Sequence, residues 1–151
     1  MRFNFATAAA KAALSSAALA FASFALAPMA AAEPAVTITI TNIEPQEGAL
    51  LIALFDEAGW ESQTPVAGTR VEVTGETMEV TLQPPAPGTY GVKMFQDLNG
   101  DNQLAFADSG APAEPFGISN DAPSVSGPPL FVHAAFEIGA DGATQTIHMR
   151  H

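Results

Sequence analysis

Cysteine is absent from the 151 residues, so the chain forms no disulfide and offers no lipidation site behind an export signal. Basic residues are nearly as scarce, with five Lys and Arg against 16 Asp and Glu and a net charge of −11. Two of those five, Arg2 and Lys11, lie close to the N-terminus. From residue 33 onward only Arg70, Lys93 and Arg150 oppose the 16 carboxylates, a net charge of −13. Nucleic acid and anionic membrane surfaces are poor partners for such a chain, and cations are good ones. Tryptophan and tyrosine occur once each, as Trp60 and Tyr90. After residue 32 there is no internal repeat, no stretch of helical hydrophobic period and no Gly-x-Ser-x-Gly nucleophile elbow.

What is present begins with an export signal. Arg2 and Lys11 make a positive start, Ala12 to Ala27 is an uncharged run of Ala, Leu, Phe and Ser, and Ala30-Ala31-Ala32 precedes Glu33. That order reads as a secretory signal peptide over residues 1–32, cleaved before Glu33. The apolar run is short and poor in large side chains for a membrane span, so no membrane insertion is expected after cleavage. The expected location is the periplasm or the medium. Residues 33–151 are the length of one domain with one core.

Along that domain the hydrophobic period is two. Ala35 to Asn42 alternates Val36, Ile38 and Ile40 with threonines, Ala49 to Phe55 is more continuously apolar, and the two are expected to pair as a hairpin. Asp56 to Gly68 reads as a loop whose Trp60 folds over the open end of the core. Thr69–Val73 and Met78–Leu82 are expected to form a second hairpin around Thr74 to Thr77. Thr89 to Phe95 places Tyr90, Val92 and Met94 on one face, and further strands are expected within Leu130–Ile138 and at Ala143–Met149. About seven short strands with a turn roughly every ten residues point to an all-β, antiparallel sandwich, with a small closed barrel as the alternative.

The densest chemistry lies after the strand that ends at Phe95. Asp97, Asn99 and Asp101 carry side-chain oxygens at alternate positions, followed by the Gln103 carbonyl and Asp108. A loop offering oxygens at its first, third, fifth, seventh and twelfth positions is the pattern that wraps a calcium ion. Magnesium, which requires near-octahedral geometry, suits it less. The competing reading is a solvated turn, since Asp, Asn and Gly favour turns for backbone reasons alone. The three crowded carboxylates tip the expectation toward the cation.

Asp97-Leu-Asn-Gly-Asp101 with Leu104, then Gly110-Ala-Pro-Ala-Glu-Pro-Phe-Gly-Ile-Ser-Asn120, then Gly127-Pro-Pro-Leu-Phe131 with Ala134, Ala135 and Phe136, form an ordered set. It resembles the bacterial exported family catalogued as domain of unknown function 2141. The resemblance implies an exported sandwich of the immunoglobulin or transthyretin type with no established activity. Members commonly carry Gly and Asp at the sixth and ninth loop positions, where this chain has Asn102 and Ala105. Asn tolerates the left-handed backbone of the sixth position, whereas Ala105 removes an oxygen and weakens binding.

The remaining polar residues are weaker signals. His148 and His151 near the end of the chain suit a frayed terminus better than copper. Ser119, Asp121 and His133 carry the residue types of a hydrolytic triad without its motif. Trp60, Tyr90 and Phe116 are either core or the floor of a sugar-binding groove. The expectation is a non-catalytic exported domain, stabilised by calcium in the loop 97–108, that binds a cell-envelope protein or a glycan. A carbohydrate-binding module is the first alternative and a hydrolase the second.

Overall fold

Val36, Ile38 and Ile40 are fully buried while the threonines between them are half-exposed, the signature of a strand with one covered face. This strand, β1 (Val36–Thr41), is described together with the rest of the domain in a computed structural model that covers residues 33–44, 48–124 and 127–151. The expected signal peptide lies outside the described residues. The chain continues through β2 (Ala49–Phe55), helix α1 (Glu57–Ser62), β3 (Ala67–Glu72), β4 (Met78–Leu82), β5 (Gly88–Asp97) and β6 (Phe116–Ile118). A 3₁₀ turn (Ser119–Asp121), helix α2 (Phe131–Ala134), β7 (Phe136–Ile138) and β8 (Ala143–His148) complete it.

The strands form two sheets, as an all-β sandwich requires. One has the order β4-β1-β8 and the other β3-β2-β5-β6, with β7 paired to the start of β5. Both expected hairpins are corrected by this order. β1 and β2 fall in different sheets, as do β3 and β4. The reason is visible in β2, Ala-Leu-Leu-Ile-Ala-Leu-Phe, which is apolar on both faces and is therefore placed between β3 and β5 at the centre of the larger sheet. β1 in turn pairs antiparallel with β4 and parallel with β8, so the sandwich is not wholly antiparallel.

Between the sheets lies the main core, built from Val36, Ile38, Ile40, Leu50, Ile52, Leu54, Val92, Met94, Ile138 and Ile147 with neighbours. Tyr90 belongs to it, and its hydroxyl donates to the Ala86 carbonyl at 2.8 Å. Gln96, fully buried on the same face of β5, accepts from Glu44 N at 2.9 Å and donates to Glu44 O at 2.8 Å. One side chain thus completes the pairing of a chain segment that has left the sheet.

Two segments expected to be irregular or extended contain helix. Asp56 caps α1 by accepting from Gly59 N at 2.7 Å, and Gln63 ends the helix in the left-handed conformation. Six residues are too few to show a hydrophobic period, which is why the sequence hides it. Leu130 to Ile138, expected as one strand, divides into α2 and the three-residue β7. The last residues, expected to fray, are held: Phe116 and Arg150 exchange backbone hydrogen bonds of 3.0 and 2.8 Å.

Candidate functional site

The larger sheet has a second, outward face, and its side chains follow from register. One rung across the sheet runs Arg70, Leu51, Phe95, Phe116, and the next runs Gly68, Ala53, Lys93, Ile118. Half of this face is roofed by α1, the 3₁₀ turn and α2, which bury Phe55, Trp60, Ile118, Ala122 and Ala134 as a second small core. Trp60 is its centre, edge-on to Phe55 and Phe131 and donating from Nε1 to the Pro129 carbonyl at 3.0 Å. Gly91 leaves room for the indole, since a Cβ there would lie 2.7 Å from it.

The other half is open and forms a groove of about 1000 Å³. Leu51, Ala53 and Phe95 make its floor, Leu104, Phe106 and Pro112 one wall, and Pro128 and Pro129 another. Gly68 and Ala53 are small, so the rung that carries Lys93 is recessed. Phe106 is 63% exposed although it lines the groove. The lining is mainly apolar, with Gln63, Thr69, Arg70, Lys93 and Asn102 among its polar groups.

The long loop between β5 and β6 walls this groove, and two buried carboxylates shape it. Asp97, fully buried, accepts from Gly100 N at 2.7 Å through Oδ1 and from Asn102 N at 2.9 Å through Oδ2. Glu114 accepts from Leu98 N at 2.9 Å and Ala105 N at 3.0 Å. Together they tie both ends of the turn to the sheet. Burial pushes the Asp97 carboxyl upward, but the N–H groups of Asn102, Gly100 and Asp101 and the charge of Arg70 outweigh it and hold the group below the ordinary carboxylate range. Asn99 accepts from Asp101 N at 2.9 Å and Asp101 from Gln103 N at 2.8 Å, so Asp97, Asn99 and Asp101 each fold onto the backbone just ahead of them. Asn102 takes the left-handed backbone, φ 60°, that its position in the loop calls for. Asp108 is exposed, and among the described residues no three Asp, Glu or His side chains converge as a metal-binding group. Glu114, which does more for the loop than Asp108, gave no signal in the sequence beyond being one of many acids.

The other sequence candidates are dispersed. Ser119 is fully buried, its hydroxyl donating to Ala134 O at 2.6 Å and accepting from Val92 N at 2.9 Å. Asp121 pairs with His148 at 2.6 Å, not with His133, so Ser119, Asp121 and His133 do not form a triad. Burial raises the Asp121 carboxyl, yet His148 and Arg150 bring it below its usual value. His151 lies 3.2 Å from Glu44, so His148 and His151 have separate partners. Of the two readings left open for the aromatics, core holds for Trp60 and Tyr90, which are buried in different cores, and of the three only Phe116 lines the groove.

Arg70 lines the groove, and Lys93 sits in the recessed rung of the groove floor. Its ammonium donates to Trp60 O at 3.2 Å and stands 4.0 Å from the Trp60 ring and 4.8 Å from the Phe55 ring. Burial lowers its pKa, with Glu61 acting weakly the other way. Among the described residues no carboxylate comes within salt-bridge distance of it.

A two-sheet sandwich with a self-tied loop walling a groove on one outer face defines a class of small β-domain rather than an activity. The chain belongs to the family described as uncharacterized protein conserved in bacteria (DUF2141), whose profile matches residues 38–147 and so spans both sheets and the groove. No curated protein and no solved structure matches the chain.

Proposed function

We propose that this is an exported, non-catalytic binding module whose ligand lies in the groove on the outer face of the larger sheet. The observation that carries the reading is the groove itself, about 1000 Å³ with a mainly apolar lining, one wall of which is a loop tied down by Asp97 and Glu114. The engaged hydroxyl of Ser119 and the separation of His133 from Asp121 supply no nucleophile for a hydrolytic reading. Trp60 and Tyr90 are buried, so the two aromatics that a sugar-binding reading would use first are engaged in the cores. A cell-envelope protein or a glycan is the alternative partner. Calorimetric titration with a neutral alkyl alcohol such as dodecanol tests the reading. Saturable binding with a negative heat-capacity change is expected, and it is lost in Phe106→Asp. Absence of any saturable heat overturns it.

Calcium in the wall loop is the second part of the proposal, supported by the successive side-chain turns at Asp97, Asn99 and Asp101. Asp97, Asn99, Asp101, the Gln103 carbonyl and Asp108 would hold it, a donor set that fits a hard cation in part because Asp108 is not gathered with the others. At a concentration ten times Kd the ion would stabilise the domain by about 1.4 kcal/mol. A rise in Tm with millimolar calcium, abolished by chelator and by Asp101→Ala but kept in Asp121→Ala, is the expected result. An equal response in all variants means that the ion only screens the acidic chain.

A further inference from the structure

The domain from residue 33 onward has three basic residues, and they are not scattered. Arg70 and Lys93 both line the groove, and Arg150 lies 5.5 Å from the ring of Phe116, which lines it as well. Sixteen carboxylates are distributed over the same domain, yet among the described residues no Asp or Glu lines the groove. Chance does not favour that separation of sign. A site that needed only apolar contact would gain nothing from a lysine on its floor, because holding an ammonium away from water carries a desolvation cost.

We propose that the groove takes a single-chain anionic amphiphile, a free carboxylate on an alkyl tail, with its head beside Lys93 and its tail along Leu51, Phe95, Leu104 and Phe106. This rests on the groove being the binding site. Lys93 supplies the charge complement: one of its three N–H donors is engaged by Trp60 O, and the others have no protein acceptor among the described residues. The rings of Phe55 and Trp60 at 4.8 and 4.0 Å flank the ammonium, so an incoming carboxylate meets a positioned charge. Arg70 is tied to Glu72 on its own strand and Arg150 to the Ala122 carbonyl, which leaves Lys93 as the partner for the head. Burial lowers the Lys93 pKa against the opposing charge of Glu61, a desolvation cost that a bound anion would offset. The net charge of −13 acts against adsorption to an anionic bilayer, so the ligand is the free monomer rather than a lipid headgroup in a membrane.

The test is calorimetric titration of the domain 33–151 with dodecanoate, dodecanol and dodecyltrimethylammonium, each kept below its aggregation limit, together with sedimentation against phosphatidylglycerol vesicles. Expected are dodecanoate binding at least tenfold tighter than dodecanol, the cationic chain weakest, and no sedimentation with vesicles. Lys93→Met should remove the preference for dodecanoate over dodecanol, and Lys93→Arg should retain it. Equal affinity for all three head groups overturns the anionic ligand while leaving the groove as a binding site. Failure of every chain to bind overturns both, and sedimentation with vesicles accompanied by no binding of monomer overturns the choice of a free ligand. Thermal unfolding of each variant confirms that Lys93→Met is folded, and Phe106→Asp, altered at an exposed wall position, serves as a second variant that should weaken all three chains.

Discussion

Gly48 shows how one residue fixes the start of the central strand. Its φ is +66°, and a Cβ there would sit 1.9 Å from the backbone oxygen of Asp97, an overlap that only movement of the main chain relieves. Gly48→Ala should therefore cost more than about 2 kcal/mol, left-handed strain plus a backbone clash. Gly100 also has positive φ, +81°, but faces open space, so Gly100→Ala should cost only about 1 kcal/mol. Urea midpoints of the two variants check the order.

Asp97 and Asp121 set the response to acid at the same scale. Both carboxyls are held below their ordinary values in the fold, so the unfolded chain binds more protons as pH falls toward and below the usual carboxylate range. Their contribution is fully present above that range and is lost as pH drops through the lowered values. Asp97→Asn should be less stable than the parent at pH 6, and the gap should narrow on acidification to pH 3. Denaturant midpoints at the two pH values measure it, and a constant gap would mean that Asp97 acts through shape rather than charge.

At the scale of elements, α1 is kept in place by its Asp56 cap and by Trp60, and the wall loop by Asp97 and Glu114. Asp56→Ala removes the cap of α1 and should cost about 1 kcal/mol, whereas Trp60→Ala empties the small outer core and should cost about 3–5 kcal/mol. Thermal unfolding distinguishes the two. Strands were legible because Val36, Ile38 and Ile40 or Met78, Val80 and Leu82 alternate, a local property of the chain. Partners were not: β1 and β2 read as a hairpin from adjacency alone, while the choice of sheet depends on β2 needing cover on both faces. The loop 97–108 was legible as a knot of turn-forming acids. That Glu114 would tie it down, and that its far side would wall a groove with Lys93 on the floor, depends on distant register that no local pattern carries.

For the whole molecule, the composition and the fold agree. An acidic domain without cysteine relies on a double-layer core and backbone-directed carboxylates for its stability. The export reading belongs at this scale: intact mass of the protein recovered from the periplasm should correspond to a chain that starts at Glu33, and retention of residues 1–32 would refute it.

The burial of Trp60 has an optical consequence. It is the only tryptophan in the chain, lies behind the groove with Lys93 against its ring, and donates to the carbonyl of Pro129, a wall residue. Its emission should be blue-shifted in the folded domain, and a nearby ammonium perturbs the excited indole through its field. Any occupant that draws Lys93 away or moves Pro129 should then shift the wavelength or intensity of that single emitter. The domain therefore carries its own spectroscopic gauge of the groove, readable in dilute solution without a label.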